Sequence, residues 1–555
     1  RLFLNKGNLQ FEDNTETAFA SDQNKAAWHT GVTVVDINQD GWQDLYVSVS
    51  NNIDHPELRR NKLFINNGLK NGQITFSDKA HEYGLDIDAF TTQAVFFDYD
   101  RDGDLDCYIL NHNVRDFKKF DVEAIRFMRD SLAGHKLMQN HHGHFEDVSV
   151  KAGIKQSPID FGLGVHVADF NQDGWPDIYV SIDYVEEDFL YINHRDGTFT
   201  DEIKNRTNHI SYFSMGNDVA DINNDLLPDI ITTDMLPEDN KRQKLLFGPD
   251  KYEAYLDMLR NKIQPSYMRN MLQLNNGDGT FSEIGQLAGI SNTDWTWSAL
   301  AADFDNDGYR DLFFSNGYLR DYTNMDFMKY YANASIQSGT AVMEMVQHMP
   351  STKTPNYIFK NNGDLTFSNK KNEWIAEEPI ISNGAVAVDL DRDGDLELIT
   401  NNLNEPVSVY QNLSSEVRSA QYIQIHLDDK YKYGAKVELF AGDLKEYTDY
   451  NPTHGYQSSN MSDVHFGLNH ISRIDSVVVI WPDDTYQVEK NLRINQSNTI
   501  LKKENLAKYA HLDSAPLFSA EPFPYQHLQR THNDFARQIL LPQMCSYIGP
   551  RITQG

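Results

Sequence analysis

The sequence predicts an all-β protein: a β-propeller with helical loop insertions, followed by a small β-sandwich-like domain. Three observations predict this fold. An acidic nonapeptide recurs six times, a hairpin signal alternates with it, and short apolar strand-like runs follow the last repeat. With 40% hydrophobic and 12% aromatic residues, the 555-residue chain can bury a large core. Repeated units of about four short strands are typical of a propeller, which leaves few sheet edges exposed.

The acidic nonapeptide has an acid or amide at positions 1, 3 and 5, glycine at position 6 and an acid at position 9. The third copy reads Asp169-Phe-Asn171-Gln-Asp173-Gly174-Trp-Pro-Asp177. Leucine replaces the glycine in the fourth copy only. The six copies, called the first to the sixth acidic loop, are Asp36–Asp44, Asp98–Asp106, Asp169–Asp177, Asp221–Asp229, Asp303–Asp311 and Asp389–Glu397.

The second repeat combines short apolar alternation, an Asn-Gly-rich turn and an aromatic strand, which is typical of a β-hairpin. With the turn before Phe145 and the strand at 407–412 included, seven hairpin signals stand against six acidic loops. We therefore expect a seven-bladed ring whose first acidic loop lies upstream of Arg1. A six-bladed ring, in which residues 1–13 supply strands to the first blade, is the alternative.

The nonapeptide has the oxygen-rich composition of a site for a hard divalent cation. Ca²⁺ takes ~6–8 oxygen ligands, and a glycine at position 6 permits the sharp turn, whereas Mg²⁺ prefers fewer protein ligands. Side chains at positions 1, 3, 5 and 9 and the backbone carbonyl at position 7 would bind the ion. The predicted ligands are Asp36, Asn38, Asp40, Trp42, Asp44, Asp98, Asp100, Asp102, Asp104, Asp106, Asp169, Asn171, Asp173, Trp175, Asp177, Asp221, Asn223, Asp225, Leu227, Asp229, Asp303, Asp305, Asp307, Tyr309, Asp311, Asp389, Asp391, Asp393, Asp395 and Glu397.

Metal-free turns are the alternative interpretation of these loops, because Asp, Asn and Gly favour tight turns anyway. The charge favours about six Ca²⁺ sites. Of the acids behind the formal charge of −32, 21 occupy ligand positions, where like charges repel unless a cation binds. The Asp221–Asp229 site is expected to be the weakest. Its Leu226 would resist a positive φ, which predicts reduced occupancy or a distorted loop.

The nonapeptides and hairpins together resemble FG-GAP/VCBS repeats over residues 1–413. The resemblance implies structural Ca²⁺ in the loops and a propeller face that binds a protein or another ligand. Residues 414–505 are similar to the ASPIC/UnbV domain at Gly434–Leu439, His465–Leu468 and Val477–Pro482. The combination resembles cartilage acidic protein and, more closely, surface lipoproteins associated with SusC/SusD-type outer-membrane importers. Residues 506–555 are then a linker and the start of a second repeat array.

This resemblance implies a calcium-stabilised, non-enzymatic binding protein at the cell surface or secreted. It would be an accessory lipoprotein subunit of a SusC/SusD-type, TonB-dependent outer-membrane importer. Its partners would be importer subunits, with a glycan or peptide as a further ligand class. Attachment to the membrane would be only through a lipid anchor outside this chain. The alternative is a carbohydrate-binding or carbohydrate-active propeller similar to a glycoside hydrolase or polysaccharide lyase, because such sites are assembled from distant loops.

Composition and motifs exclude several other classes. The acidity excludes a binder of the nucleic-acid backbone, since no basic stripe is present. No apolar run reaches the ~18 residues of a membrane-spanning helix. Two cysteines, Cys107 and Cys545, are too few for a disulfide framework or a Cys-based zinc site. No nucleophile elbow, phosphate loop, H-E-x-x-H or C-x-x-C motif occurs, so no catalytic residue is predicted.

Three insertions, at about 112–134, 237–266 and 320–355, each lie between an acidic loop and the next hairpin. Because they occupy equivalent places in the repeat, we expect them on one face of the propeller. They are either local caps or a docking surface, since binding usually sits on the loops of a rigid scaffold. His141, His142 and His144 look like a metal cluster, but they align with the hairpin turns of the other copies and are predicted to form one.

Overall fold

The computed structural model describes residues 1–20, 22, 27–51, 53–115, 122–247, 252–333, 346–375 and 379–511. Arg1–Leu512 form one compact unit. The chain is built mainly of β-strands, which confirms the predicted all-β class. Residues 512–555, most of the stretch expected to begin a second repeat array, lie outside the described residues. In the described ranges, no helix has both the length and the apolar character needed to cross a membrane.

A hairpin and six antiparallel sheets form the repeat region. In each sheet an acidic loop joins the first strand to the second, and in the first five sheets a hairpin signal forms the third and fourth strands, as predicted. The sixth sheet has three strands. The hairpin is β1 (Phe3–Asn5) and β2 (Phe11–Asp13). The first three sheets are β3 (Trp28–Val35), β4 (Asp44–Ser50), β5 (Lys62–Lys70), β6 (Gln73–Asp78); β7 (Thr91–Phe97), β8 (Asp106–Asn111), β9 (Lys136–Asn140), β10 (Phe145–Asp147); and β11 (Gly162–Ala168), β12 (Asp177–Ile182), β13 (Phe189–Asn193), β14 (Phe199–Asp201).

The fourth to sixth sheets are β16 (Asn217–Ala220), β17 (Asp229–Thr232), β19 (Met271–Asn275), β20 (Phe281–Glu283); β21 (Thr296–Ala302), β22 (Asp311–Asn316), β23 (Tyr357–Asn361), β24 (Phe367–Asn369); and β25 (Ser382–Val388), β26 (Glu397–Asn402), β27 (Ser408–Tyr410). A short parallel pair, β15 (Ile210–Ser211) and β18 (Ser266–Tyr267), accompanies the fourth sheet.

Successive sheets pack face to face, with their first strands side by side. Strands β7, β8, β11 and β12 are buried along their whole length, because other sheets cover both of their faces. Between the second and third sheets, Tyr108 and Leu137 of one pack with Ile178 and Tyr191 of the other. Burial of such side chains contributes about 1.5–3 kcal/mol each, so the stability of each sheet depends on its neighbours.

In the third to sixth sheets, the asparagine of the hairpin signal links its sheet to the acidic loop of the sheet before. Asn193 is the example: its N–H donates to Asp177 Oδ1 at 2.8 Å, and its Nδ2 donates to the Tyr99 carbonyl of the second acidic loop at 2.9 Å. A side chain that only shaped the turn would not need this second bond. Corresponding bonds join Asn275 to Phe170, Asn361 to Ile222 and Asn412 to Phe304.

The β1–β2 hairpin lies between the sixth and first sheets. Asn5 Nδ2 donates to the carbonyl of Leu390, the second residue of the sixth acidic loop, at 3.0 Å. On the other side, the helical turn that follows β2 packs on β6, and the ring of Phe19 stacks on Phe76 with centroids 5.2 Å apart. The hairpin therefore contacts the last and the first sheet of the repeat region.

The C-terminal domain has two sheets that share one core, with strands in the orders β33-β28-β36 and β30-β29-β34-β35-β37. Alternate residues of β28 and β29 are buried, as expected of strands with one face on a core. The core includes Ile425, Leu439, Phe466, Val479 and Trp481. The strands are β28 (Gln421–Leu427), β29 (Lys436–Ala441), β30 (Leu444–Asp449), β31 (Thr453–His454), β32 (Ser458–Ser459), β33 (Val464–Asn469), β34 (Ser476–Ile480), β35 (Thr485–Glu489), β36 (Ser497–Ile500) and β37 (Ala507–Lys508).

The loop between β30 and β33, residues 450–463, runs along the first strands of the six sheets and is called the plug loop. Its tip is a tight turn at Gly455, whose φ is 65° and where an added Cβ would meet Ser298 Oγ at 2.1 Å. The loop hydrogen-bonds to the first strand of every sheet, at Val34, Gln93, Val167, Asn217, Ser298 and Ala387. The C-terminal domain therefore contacts all six sheets of the repeat region through the plug loop.

Strand direction places the connections at two ends of the sheets. Links between first and second strands, the acidic loops, lie at one end (the acidic-loop end). Links between second and third strands lie at the other (the insertion end), where the three insertions emerge together as expected. The helices are α1 (Thr15–Ala18), α2 (Ala80–Tyr83), α3 (Val122–Ile125), α4 (Ser149–Ala152), α5 (Ile203–Arg206), α6 (Asn240–Leu246), α7 (Tyr252–Arg260), α8 (Gly285–Ala288), α9 (Met325–Asn333) and α10 (Ser414–Arg418), with a 3₁₀ turn at Pro56–Leu58. Helices α3, α6, α7 and α9 belong to the insertions.

Candidate metal centres

Each acidic loop folds around its first aspartate. In the third loop, the N–H groups of Asp173 and Gly174 donate to Asp169 Oδ1 and Oδ2, at 3.0 and 2.8 Å. The N–H of Trp175 donates to Asp173 Oδ1 at 2.9 Å. The turn requires positive φ at positions 4 and 6, where Gln172 has φ 55° and Gly174 has φ 91°. Glycine at position 6 meets this requirement without a steric penalty.

The acid at position 9 joins the loop to the third strand of the same sheet. Asp177 is buried, its Oδ2 accepts from the N–H of Phe170 at 3.1 Å, and its Oδ1 accepts from Asn193. Both carboxylate oxygens are therefore held in place by backbone donors. The same two bonds recur at Asp44, Asp106, Asp229, Asp311 and Glu397.

Carboxylates at positions 1, 3 and 9 converge. In the second loop, oxygens of Asp98, Asp100 and Asp106 lie within 4.8 Å of one another, and the fifth and sixth loops hold matching clusters. Burial, with repulsion from neighbouring carboxylates, raises the pKa of Asp98 to about 7 and that of Asp106 to about 9. A bound divalent cation would offset both the burial and the repulsion and would keep these groups ionised.

Buried oxygens at position 3 fit a cation as well. Asn223 Oδ1 in the fourth loop and Asp391 Oδ1 in the sixth have no hydrogen-bond donor in the part of the chain that the structure describes. A buried acceptor left without a donor costs about 1–3 kcal/mol. A cation placed among the carboxylates would satisfy such oxygens without any further donor. The oxygen-only ligand set is the one that Ca²⁺ prefers.

Lysines already approach two of the loops. Lys360 of β23 lies with its Nζ 2.6 Å from Asp305 Oδ2 and also contacts Asp307 in the fifth loop. Lys436 of β29, in the C-terminal domain, contacts Asp169 in the third loop. The carboxylates thus attract positive charge, and a Ca²⁺ ion in these two loops would compete with an ammonium group.

All thirty predicted ligand residues lie around the turns of their own loops. The residues at position 7, whose carbonyls are predicted ligands, are each held by an N–H that donates to the position 5 carboxylate. These bonds involve Trp42, Asp104, Trp175, Leu227, Tyr309 and Asp395. The acid clusters could hold metal ions, and calcium itself stays a prediction.

The fourth loop is not distorted, so that part of the expectation for Leu226 is wrong. Leu226 adopts φ 70°, and its N–H donates to Asp221 Oδ2 at 2.8 Å, as the glycine N–H does in the other loops. The carboxylates at both ends of the loop impose this conformation. The cost appears as local backbone strain at Leu226, about 1–2 kcal/mol for a residue with a Cβ. Reduced occupancy of this site stays a prediction.

The histidine run forms a hairpin turn, as predicted. The N–H of His141 donates to the carbonyl of His144 at 2.8 Å, between β9 and β10. His142 is exposed and has φ 55°.

Two kinds of contact were not predicted from the sequence: the bonds by which hairpin asparagines link neighbouring sheets, and the contacts of the plug loop. A signal for the first was present. Asparagine recurs at the same place in the hairpins, whereas a simple turn would accept aspartate equally well.

Comparison with known families agrees with the geometry. Residues 169–232 and 255–314, which include the third, fourth and fifth acidic loops, match the family described as FG-GAP-like repeat. Residues 428–507 match the family described as ASPIC and UnbV. The chain therefore contains FG-GAP-like repeats and an ASPIC/UnbV domain. No curated protein sequence matches the chain.

Several solved structures are similar to this chain over most of its length at low identity, and three of them are the following. The V. cholerae biofilm matrix protein Bap1 has a TM-score of 0.32 and 10% identity, over 84% of this chain and 59% of that protein. The Bacillus licheniformis rhamnogalacturonan lyase PL11 has a TM-score of 0.31 and 13% identity, over 86% and 72%. The exotype rhamnogalacturonan lyase YesX has a TM-score of 0.31 and 10% identity, over 86% and 73%. Similarities at this level assign no activity.

Proposed function

We propose that this chain is a calcium-stabilised β-propeller that binds a partner and is not an enzyme. The observation that carries the proposal is the sixfold repetition of a buried carboxylate site at the acidic-loop end. Oxygen ligands, raised pKa values and position 3 oxygens without donors recur there in loops of one geometry. Six ions bound only by the folded state would stabilise the ring by mass action.

The proposed ring has seven blades, the six sheets and the β1–β2 hairpin. In the third to sixth sheets, a hairpin asparagine donates to the second residue of the preceding acidic loop. Asn5 makes the same bond to Leu390 in the sixth loop. This bond supports a seventh blade between the sixth and the first. Sequence boundaries of 1–413 for the propeller and 414–505 for the second domain belong to this proposal.

The insertion end is the binding surface in this proposal. The plug loop fills the space beside the first strands, so a partner would meet a broad surface rather than a deep pocket. Helix α9 presents Tyr330 and Tyr331 there, exposed by 47% and 44%. Exposed tyrosines are common anchors at protein interfaces.

We further propose that the partner is an outer-membrane importer, and that the chain is its accessory lipoprotein subunit at the cell surface. The resemblance of the sequence over residues 1–505 to such lipoproteins supports this role. A lipid anchor outside this chain would provide the attachment.

A capture experiment tests the partner. Full-length chain immobilised in Ca²⁺ is incubated with detergent-solubilised outer membranes of the source cell, and retained proteins are identified by mass spectrometry. We expect importer subunits to be retained by the wild type and by Leu69→Ser, a control beside the β5–β6 turn at the acidic-loop end, where Leu69 is 58% exposed. The double variant Tyr330→Ser/Tyr331→Ser should lose them. Equal retention by the double variant would contradict the assigned surface.

One observation favours a carbohydrate ligand as a second candidate function. An aromatic group lies at the insertion end, where Trp295 stacks on Tyr318 with centroids 4.3 Å apart and Tyr322 packs beside them. Tyr184 and Tyr322 remain 46% and 36% exposed. Aromatic walls with a few polar groups are typical of small-ligand sites.

Binding and turnover assays on pooled polysaccharides separate the two candidates. Retention of a polysaccharide that Tyr322→Ala abolishes would favour glycan binding. Reproducible chain cleavage by the wild type would overturn the non-enzymatic proposal.

A further inference from the structure

A histidine, an aspartate and a second histidine meet where the plug loop crosses the first strands of the third and fourth sheets. His166 lies on β11, Asp218 on β16 and His454 on β31, so each comes from a different part of the chain. One ligand atom from each lies within 4.8 Å of the other two. His454 Nδ1 is 2.8 Å and His166 Nδ1 is 3.7 Å from Asp218 Oδ1. His166 and Asp218 are buried.

His166 supplies a second, independent observation. Its side chain is 1% exposed, and neither ring nitrogen has a hydrogen-bond partner among the described residues. A buried imidazole without any partner is costly, because its donor and its acceptor both lose water. The ring nevertheless directs Nδ1 towards Asp218. An ion that accepts a lone pair from Nδ1 would remove the part of this cost that is due to the acceptor nitrogen.

The geometry fits a transition-metal ion. Metal–ligand distances of ~2.0–2.2 Å in a tetrahedral zinc site place ligand atoms about 3.4 Å apart. The observed separations from Asp218 Oδ1, 2.8 and 3.7 Å, lie on either side of that value. His454, whose side chain is 33% exposed, has room to withdraw by the small distance required. Asp218 is held by the N–H of Ala301, which donates to its Oδ2 at 2.8 Å.

The ligand set separates this cluster from the acidic loops. Imidazole nitrogens suit Zn²⁺, Cu²⁺, Fe²⁺ or Ni²⁺, whereas Ca²⁺ prefers oxygens. Three protein ligands leave a fourth position for water. Asp218 and His454 also line a cavity of about 130 Å³, together with Asp449 and Asn451, and water could reach the fourth position from it.

We infer that His166, Asp218 and His454 bind one divalent transition-metal ion of the Zn²⁺ class. The ion joins two repeat sheets to the plug loop and fastens the ASPIC/UnbV domain to the repeat region. Such a site stabilises the folded chain only, because its three ligands are far apart in the unfolded chain.

Cobalt titration tests the site. Full-length chain is freed of transition metals, saturated with Ca²⁺ to occupy the acidic loops, and titrated with Co²⁺, whose visible d–d absorption reports nitrogen and oxygen ligation. We expect one Co²⁺ per chain with tetrahedral-type bands, and a higher melting temperature when Zn²⁺ is added. His454→Gln, the most exposed ligand, and the isosteric Asp218→Asn should lose both responses.

Two controls exclude other histidines. The triple variant His141→Gln/His142→Gln/His144→Gln removes the exposed turn histidines, and His465→Gln removes another buried histidine near the same cavity. Both should keep the Co²⁺ spectrum of the wild type. A wild-type chain without Co²⁺ bands, or bands that survive in His454→Gln and vanish in the triple variant, would overturn the inference. If a variant unfolds, a chelator selective for transition metals over Ca²⁺, applied to the zinc-loaded wild type, should still lower its melting temperature; no shift would count against the site.

Discussion

The acidic-loop end and the insertion end both connect neighbouring strands, but they balance charge differently. All six acidic loops use the same turn around a first aspartate, five of them with glycine at position 6. Among the described residues, ion pairs with lysine or arginine involve only a minority of the loop carboxylates: Asp169, Asp173, Asp305 and Asp307. At the insertion end, buried carboxylates meet arginines from other segments, as when Arg242 of α6 pairs with Asp294 and Asp321. If the proposed Ca²⁺ ions bind, the acidic-loop end depends on cations from solution, whereas the insertion end carries part of its own counter-charge. The two ends should therefore respond differently to Ca²⁺.

The largest expected effect is a calcium-controlled pH dependence at the acidic-loop end. Without Ca²⁺, burial raises the pKa of Asp98 to about 7, of Glu397 to about 8 and of Asp106 to about 9. The folded state then binds more protons than the unfolded state between pH 4 and 9. The contribution of these carboxyl groups to the free energy of unfolding is fully present below their unfolded-state pKa near 4. It is lost as the pH rises through their folded-state pKa values.

Urea unfolding in EDTA should therefore show a midpoint that falls from pH 4 to pH 9 at constant ionic strength. Ca²⁺ should remove most of that fall, leaving the part due to buried acids elsewhere, such as Asp188 at the insertion end, whose pKa burial raises to about 7. Parallel pH profiles with and without Ca²⁺ would contradict the comparison.

The second effect is at position 9. Asp177→Asn should lower the free energy of unfolding by about 4 kcal/mol in Ca²⁺, because a proposed calcium ligand is lost and an amide NH₂ faces the N–H of Phe170 or Asn193. In EDTA the loss should be much smaller. Asp196→Asn, at the exposed turn of the same sheet, is the control and should change little. Equal losses by Asp177→Asn in both buffers would show that no ion binds there.

The third effect is at the insertion end. Arg242→Gln should cost about 3 kcal/mol, because it leaves two mostly buried carboxylates without their cation. Urea unfolding should give the same loss in Ca²⁺ and in EDTA. The exposed pair of Arg60 with Asp86 is the control, and Arg60→Gln should cost under about 1 kcal/mol. A loss that depends on Ca²⁺ would mean that the two ends are coupled.

The smallest effect concerns the fourth acidic loop, in which Leu226 replaces the glycine at position 6. Leu226→Gly should raise the free energy of unfolding by about 1 kcal/mol and tighten Ca²⁺ binding at the fourth loop, since the strain of a positive φ disappears. Gly41→Ala is the converse change in the first loop. An added Cβ there meets no atom within 4 Å, so a loss of about 1 kcal/mol would be purely conformational. Destabilisation by Leu226→Gly would show that its side-chain packing outweighs the strain.

Repetition explains how much of this molecule could be predicted from sequence. The acidic loops recur with one internal spacing and the hairpins with one residue pattern, so local chemistry identified the turns, the flanking strands and the candidate ligands. The undistorted fourth loop was not predicted, because the rule against positive φ for Leu226 ignores the carboxylates that impose it.

Contacts that occur only once were not predictable. The plug loop has no period, and its partners are distant in sequence: Ser459 accepts from Val34, 425 residues earlier. The proposed metal-ligand cluster likewise arises from contacts between segments that are distant in sequence. His166 sits in an ordinary strand-like run, and only the packing of three segments places it beside Asp218 and His454.

Metal analysis combined with thermal unfolding addresses the proposed calcium sites. The chain is stripped with EDTA, returned to Ca²⁺ or to Mg²⁺, freed of excess ion, and then analysed for bound metal and melted. We predict about six Ca²⁺ per chain, or about five if the Leu226 loop stays empty, and a melting temperature well above that in EDTA or in Mg²⁺ alone. A chain that retains no Ca²⁺, or that melts at the same temperature in Ca²⁺ and in EDTA, would contradict the structural role of these loops.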